Sequence, residues 1–262
     1  MIASDWGSYI SALKTEQIPF EDLHEAGCLD VFITKGDQEV EYISSLKNIA
    51  WARAGGVEVI GSFYWHYPLW DVQPQIDQYS HAIEREKPDF IVLDMEGSQG
   101  QSSWAVSESG RKVAEGLIKN SGKKLFIYTS RDYINTITPD SNTWIGDKKY
   151  GRWIASWPMK PPVNQADWYL STEEIKEYPL PGWVPALPKA WLGYDIWQDN
   201  NWARPEGYGW PYVHQYDWDY IPGTLDDFKR LIGMLPPLPV KPTLQEQIDD
   251  LNRRVTILET EG

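Results

Sequence analysis

Short apolar runs alternate with amphipathic stretches between residues 31 and 157, and this alternation restricts the fold more than any other feature of the chain. VFITK (Val31–Lys35), VEVIGSFY (Val57–Tyr64), FIVLD (Phe90–Asp94), LFIYT (Leu125–Thr129) and RWIASW (Arg152–Trp157) have the length and residue types of strands. Helical patterns over Val40–Ala54, Pro74–Glu86 and Trp104–Asn120 separate them. Gly55-Gly56 and Ser121-Gly122 supply the left-handed residue that closes two of these helices. VEVIGSF and FIVL are apolar without alternation, as in strands buried on both faces of a parallel sheet. Beyond residue 160, Pro and Trp dominate, helical patterns fade, and only Tyr194–Gln198 and Tyr212–Tyr216 read as strands. The expected fold class is α/β: an irregular TIM-like β/α barrel, regular in its first half, whose later strands carry few helices.

A helical stretch, Leu225–Leu235, closes this unit and sets a domain of residues 1–235. The segment LPPLPVKPT, with four prolines, makes 236–243 a stiff linker. In 244–262, Leu244, Ile248, Leu251, Val255 and Leu258 recur at spacings of 4, 3, 4 and 3, a heptad seam flanked by Arg254 and Glu259. The expectation is a coiled-coil helix that associates with copies of itself, a trimer favoured and a dimer the alternative. A solvated tail is the plainer reading of so short a repeat.

Charge and composition exclude several functions. Lys and Arg number 24 against 38 Asp and Glu, a net charge of −14, which disfavours nucleic acid and anionic membrane as partners. A lone cysteine, Cys28, leaves no disulfide framework and no thiolate zinc site. His24, His66, His81 and His214 lack metal-ligand spacing, and no glycine-rich loop follows a strand, so neither a metal nor a cofactor is expected. The start lacks the basic-then-apolar pattern of a secretory signal, and no apolar run approaches the ~20 residues of a membrane span. Fifteen Trp and fifteen Tyr beside six Phe suit surfaces that are apolar on one side and wet on the other, such as sugar-binding clefts. A Trp-rich core would give the same counts.

The strongest chemical signal is FIVLDMEG, residues 90–97. Strand side chains alternate, so Asp94 and Glu96 share a face at the carboxyl end, where β/α sheets place their sites. Two carboxylates so close push one pKa up, leaving an acid able to protonate a leaving oxygen near neutral pH. Solvated strand-end acids or a divalent-cation site are the alternatives.

DFIVLDMEG resembles the Asp-x-Glu strand of the glycoside hydrolase family 25 lysozymes, the Chalaropsis-type muramidases. The resemblance extends along most of 1–235. DVFITKG is similar to the family's second strand with its lysine, here Lys35; GSFYWHYP to the strand of cleft aromatics; KLFIYTSRDYI and RWIASW to the fifth and sixth strands. HQYDWDYIPGTLDDFKRL resembles the closing strand and helix, with Asp217 at a late acidic position. The resemblance implies a peptidoglycan hydrolase in which Glu96 is the acid/base and Asp94 orients the substrate's 2-acetamido group in a retaining, substrate-assisted reaction. Asp217 would support from the cleft floor, and Tyr64, Tyr128 and Trp157 would stack on or hydrogen-bond to sugar. The family opens with an acid four residues before a tryptophan; if that is Trp6, the position falls on Ile2, and either Asp5 or Asp37 compensates or an acid of the site is missing. A wall-cutting chain of this kind implies a phage lysin, held in the host cytoplasm and then released to the wall, or part of a virion. A glycan-binding or structural module that has lost full activity is the second reading. A chitinase-like enzyme is the third, opposed by Val92 where that signature needs another acid.

Overall fold

The computed structural model describes residues 2–6, 20–36, 44–136, 144–156, 169–170, 184–200, 204–205, 217–238 and 245. In chain order its strands are β1 (Ile2–Trp6), β2 (Val31–Lys35), β3 (Val59–Trp65), β4 (Phe90–Asp94), β5 (Leu125–Ser130), β6 (Tyr150–Ala155), β7 (Tyr169–Leu170), β8 (Ile196–Asn200), β9 (Arg204–Pro205) and β10 (Asp217–Tyr220). The helices are α1 (Phe20–Glu25), α2 (Ser44–Ala54), α3 (Val72–Glu86), α4 (Ser103–Ser121), α5 (Arg131–Thr136) and α6 (Leu225–Leu231). The sheet curls on itself in the order β1-β2-β3-β4-β5-β6-β8-β10, and β10 closes it against β1. β7 and β9 form a separate two-residue pair.

The mixed α/β expectation holds, and the closing strand departs from the TIM-like barrel expected. β1 to β6 and β8 run parallel around the ring, whereas β10 is antiparallel to both β8 and β1. A regular β/α barrel has eight parallel strands, each followed by a helix. Here the full-length helices among the described residues lie before β5.

Alternation along each strand divides the apolar residues into two layers. Ile91, Leu93, Leu125, Ile127 and Trp197 point outward and pack beneath Ile76, Tyr79 and Ile83 of α3 and Val113 and Leu117 of α4. Val31, Ile33, Val59, Phe63, Phe90, Val92, Phe126, Tyr128, Trp153 and Ile196 fill the interior. Phe90 begins β4, and Phe228 of α6 meets its ring edge-on at 5.4 Å, so α6 seals the amino-terminal end of the barrel. Interior space at that end is so tight that a Cβ on Gly61 would strike the Phe90 ring, and one on Gly151 the Phe126 ring. The opposite end, where the strands finish, is left to polar residues.

Local signals set the helix limits. Ser102 caps α4 by accepting from the Ala105 N–H, and Gly122, at φ 66°, ends it with its N–H on the Ile118 carbonyl. α6 stops at Leu231 rather than Leu235, with Gly233 at φ 84° just beyond. β3, β6 and β8 are each displaced by one or two residues from the expected runs. The closing strand forms at Asp217–Tyr220, while the expected Tyr212–Tyr216 lies outside the described residues. The same is true of the linker beyond Leu238 and of the heptad tail apart from Gln245.

Candidate active site

At the carboxyl end of the barrel, Asp94 is in register with Trp65 of β3 and Tyr128 of β5, and Tyr128 with Trp153 of β6. Residues in register across a ladder share a face, so Asp94, Tyr128 and Trp153 line the interior together. Hydrogen bonds join this layer to the far side of the ring. The Tyr128 hydroxyl donates to Gln198 Oε1 at 2.9 Å, and the Trp153 indole N–H donates to Asp219 Oδ1 at 2.7 Å. The Tyr128 and Trp153 rings meet edge to face at 4.6 Å. Asp94, Gln198 and Asp219 are all buried.

Met95, between the two acids, is held by β5 beyond the end of β4. Its N–H donates to the Tyr128 carbonyl at 2.9 Å, and its own carbonyl accepts from Thr129 Oγ1 at 2.8 Å. With Met95 buried and pinned at both ends, the extended alternation continues far enough to set Glu96 on the side of Asp94. Glu96 is open to solvent at the mouth, yet the protein crowding it raises its pKa above the ordinary value, against hydrogen bonding with Tyr128, whose single hydroxyl proton it shares with Gln198, that lowers it. A carboxyl so placed keeps its proton to higher pH than a free glutamate and can serve as an acid.

Tyr133 of α5 completes this corner, and sequence reasoning missed it. Its hydroxyl donates to the Gly97 carbonyl at 3.0 Å. Burial raises its pKa first, with the charges of Asp94 and Glu96 adding to the rise, so it lies within electrostatic reach of both acids. The available signal was its position: α5 begins directly after β5, which returns the chain over the mouth of the barrel.

The other candidate residues divide. Lys35 ends β2 in register with Phe63, an interior residue. Asp217 begins β10, half-buried, and its backbone partner across the closing seam is Asp5. Asp5 is also in register with Ile33, another interior residue, so its position belongs to the interior row at the site end. Ile2 pairs with Tyr220, three residues down the strand or about 10 Å away from the Asp5–Asp217 pair. Four residues after Asp5 the chain has Tyr9, where the family pattern has a tryptophan.

Tyr64 needs correction as a sugar-contacting residue. It is fully buried on the outer face, stacks on Tyr79 at 5.2 Å and donates its hydroxyl to Glu86 Oε2 at 2.9 Å. Its neighbours Phe63 and Trp65 occupy the alternate row, and the Trp65 indole lies 3.8 Å from where a Cβ on Gly97 would stand. Trp157 and Asp37 lie outside the described residues. Among the described residues no cluster of three His, Cys, Asp or Glu side chains is placed to hold a metal ion. His66 is buried behind Asp94: its backbone N–H donates to the Asp94 carbonyl, its ring Nε2 bonds Ser109 Oγ at 2.9 Å, and burial lowers its pKa to about 4.

Similar folds are known. A bacterial lysozyme from Streptomyces coelicolor superposes with a TM-score of 0.65 at 15% identity, covering 89% of this chain and 97% of the lysozyme. A muramidase from Trichobolus zukalii gives 0.63 at 18% identity, over 90% and 100% of the two chains. The catalytic domain of endolysin ply40 from bacteriophage P40 of Listeria monocytogenes gives 0.57 at 15% identity, over 88% and 97%. No curated protein sequence matches the chain. Residues 5–198 match the sequence model of the glycosyl hydrolases family 25, beginning at the acid that faces Asp217 across the seam, and the chain belongs to that family.

Proposed function

We propose that the chain is a muramidase that hydrolyses the β-1,4 bond between N-acetylmuramic acid and N-acetylglucosamine in peptidoglycan. The observation that carries this reading is the pairing of a buried Asp94 with a partly desolvated Glu96 of raised pKa at the open end of a family 25 barrel. Glu96 protonates the glycosidic oxygen as the bond to C1 breaks. The substrate's own 2-acetamido oxygen, oriented by Asp94, closes on C1 from the other face. Glu96, now a carboxylate, takes a proton from the water that reopens this ring, so the configuration is retained. Asp217 and Asp5 supply negative charge at the floor of the cleft, where positive charge develops at C1.

Reducing-end release from purified peptidoglycan tests the reading. Muramic-acid ends released by the native chain and abolished by Glu96→Gln support it; glucosamine ends reassign the bond; no release rejects a hydrolase. A glycan-binding module without activity is the second reading; Ile2 and the heptad tail favour it, and the intact Asp94 and Glu96 oppose it.

The heptad seam of 244–262 supports self-association of these catalytic heads, a trimer before a dimer, which would raise avidity on a polymeric wall. A monomeric mass for the full chain in sedimentation excludes it. A role as a phage lysin, released from the host cytoplasm or carried in a virion, fits such an architecture. Blotting phage-infected cells and purified virions for the chain distinguishes the two settings.

A further inference from the structure

The loop that follows β3 carries an exposed apolar surface on an unusually ordered backbone. Leu69 and Trp70 are 60% and 44% exposed, and Trp104, in the first turn of α4 after the next strand, is 68% exposed. Exposed large apolar side chains adjacent in one loop, as Leu69 and Trp70 are, mark surfaces that meet a partner. The backbone beneath them is clamped by one side chain. Gln75 of α3 is fully buried; its Oε1 accepts from the Tyr67 N–H at 3.0 Å, and its Nε2 donates to the carbonyls of Tyr67 at 3.0 Å, Trp70 at 3.1 Å and Asp71 at 3.4 Å. The Trp70 N–H closes the turn on the Tyr67 carbonyl at 3.1 Å. So held, the Tyr67 and Trp70 rings stack at 4.2 Å and 16°. Tyr67 backs one face of the indole, and Trp70 remains 44% exposed.

This surface is continuous with the active site. The Leu69 N–H donates to Gln99 Oε1 at 3.2 Å, and Gln99 lies three residues beyond Glu96, in a turn that holds it at φ 49°. Non-glycine residues adopt that backbone only when their surroundings enforce it.

We propose that Trp70, backed by Tyr67, is a stacking site for a sugar of the glycan strand outside the two units that flank the scissile bond. This rests on the muramidase reading for the identity of the glycan. A flat, uncharged, pre-ordered indole suits the C–H face of a sugar ring, and loses little conformational freedom on binding. The chain's charge of −14 disfavours an acidic partner at the same place.

Binding of peptide-free glycan strands to Glu96→Gln protein, with and without Trp70→Ala, tests the site. Weakening of about fivefold or more with Trp70→Ala, largely restored by Trp70→Phe, supports it; the Phe variant also controls for folding. Equal affinity of the Ala variant overturns it. Weakening seen with intact peptidoglycan but absent with peptide-free strands also overturns it, because the surface then reads stem peptide. Failure of the muramidase reading shows separately, as absence of reducing ends from the native chain, whatever Trp70 does.

Discussion

Asp5 and Asp217 face each other across the antiparallel seam that closes the barrel, although 211 residues stand between them in the chain. That backbone pairing joins the first strand of the sheet to the last. Asp5→Asn and Asp217→Asn should each lower kcat on peptidoglycan by roughly tenfold to a hundredfold, the scale for removing one preorganised electrostatic group. Ile2→Asp should bring no gain, since its position lies toward Tyr220. A rise in kcat in the Ile2 variant would move the early acid back to that residue.

Glu96 should set the alkaline limb of the pH profile. Its pKa is raised by desolvation, so activity that needs the protonated acid persists above the ordinary glutamate range and falls as pH passes the raised value. Tyr128 works against the rise through its hydrogen bond. Tyr128→Phe removes that opposition, so the limb should move to higher pH in kcat/KM profiles; a downward move contradicts the arrangement.

Tyr64→Phe should act on stability and leave KM unchanged. The Glu86 carboxylate, buried beneath α3, accepts from Tyr64 and from Ser45 Oγ at 2.7 Å. Loss of one donor from a buried carboxylate costs about 1–3 kcal/mol, a fall in Tm of several degrees. A raised KM with unchanged Tm would return Tyr64 to the cleft.

His66 should make the fold sensitive to acid. Its folded pKa of about 4 lies below the unfolded value of 6.5, so between the two the unfolded chain binds the extra proton. Stability is complete above 6.5 and is lost as pH falls toward 4, by roughly 3 kcal/mol in all. Denaturant melts of the native chain and His66→Gln across this window should show a shallower loss in the variant. Parallel curves would mean that His66 does not titrate with unfolding.

The sequence by itself determined the units whose physics is local. Val31–Lys35 and Phe90–Asp94 form strands at the expected residues because continuous apolar runs of that length have one way to be buried. Asp94 and Glu96 fall on one side because strand alternation has period two, and Gly122 ends α4 because its left-handed backbone is intrinsic to glycine. Tertiary structure decided which alternate row faced inward. In SFYW every residue is apolar or small enough for either side, and only packing under α3 sent Tyr64 outward and Phe63 into the barrel. It also brought Tyr133 to the acids through the chain's turn after β5, and paired Asp5 with Asp217 through ring closure. Those placements depend on contacts between distant segments, and no local periodicity encodes which strand will meet which.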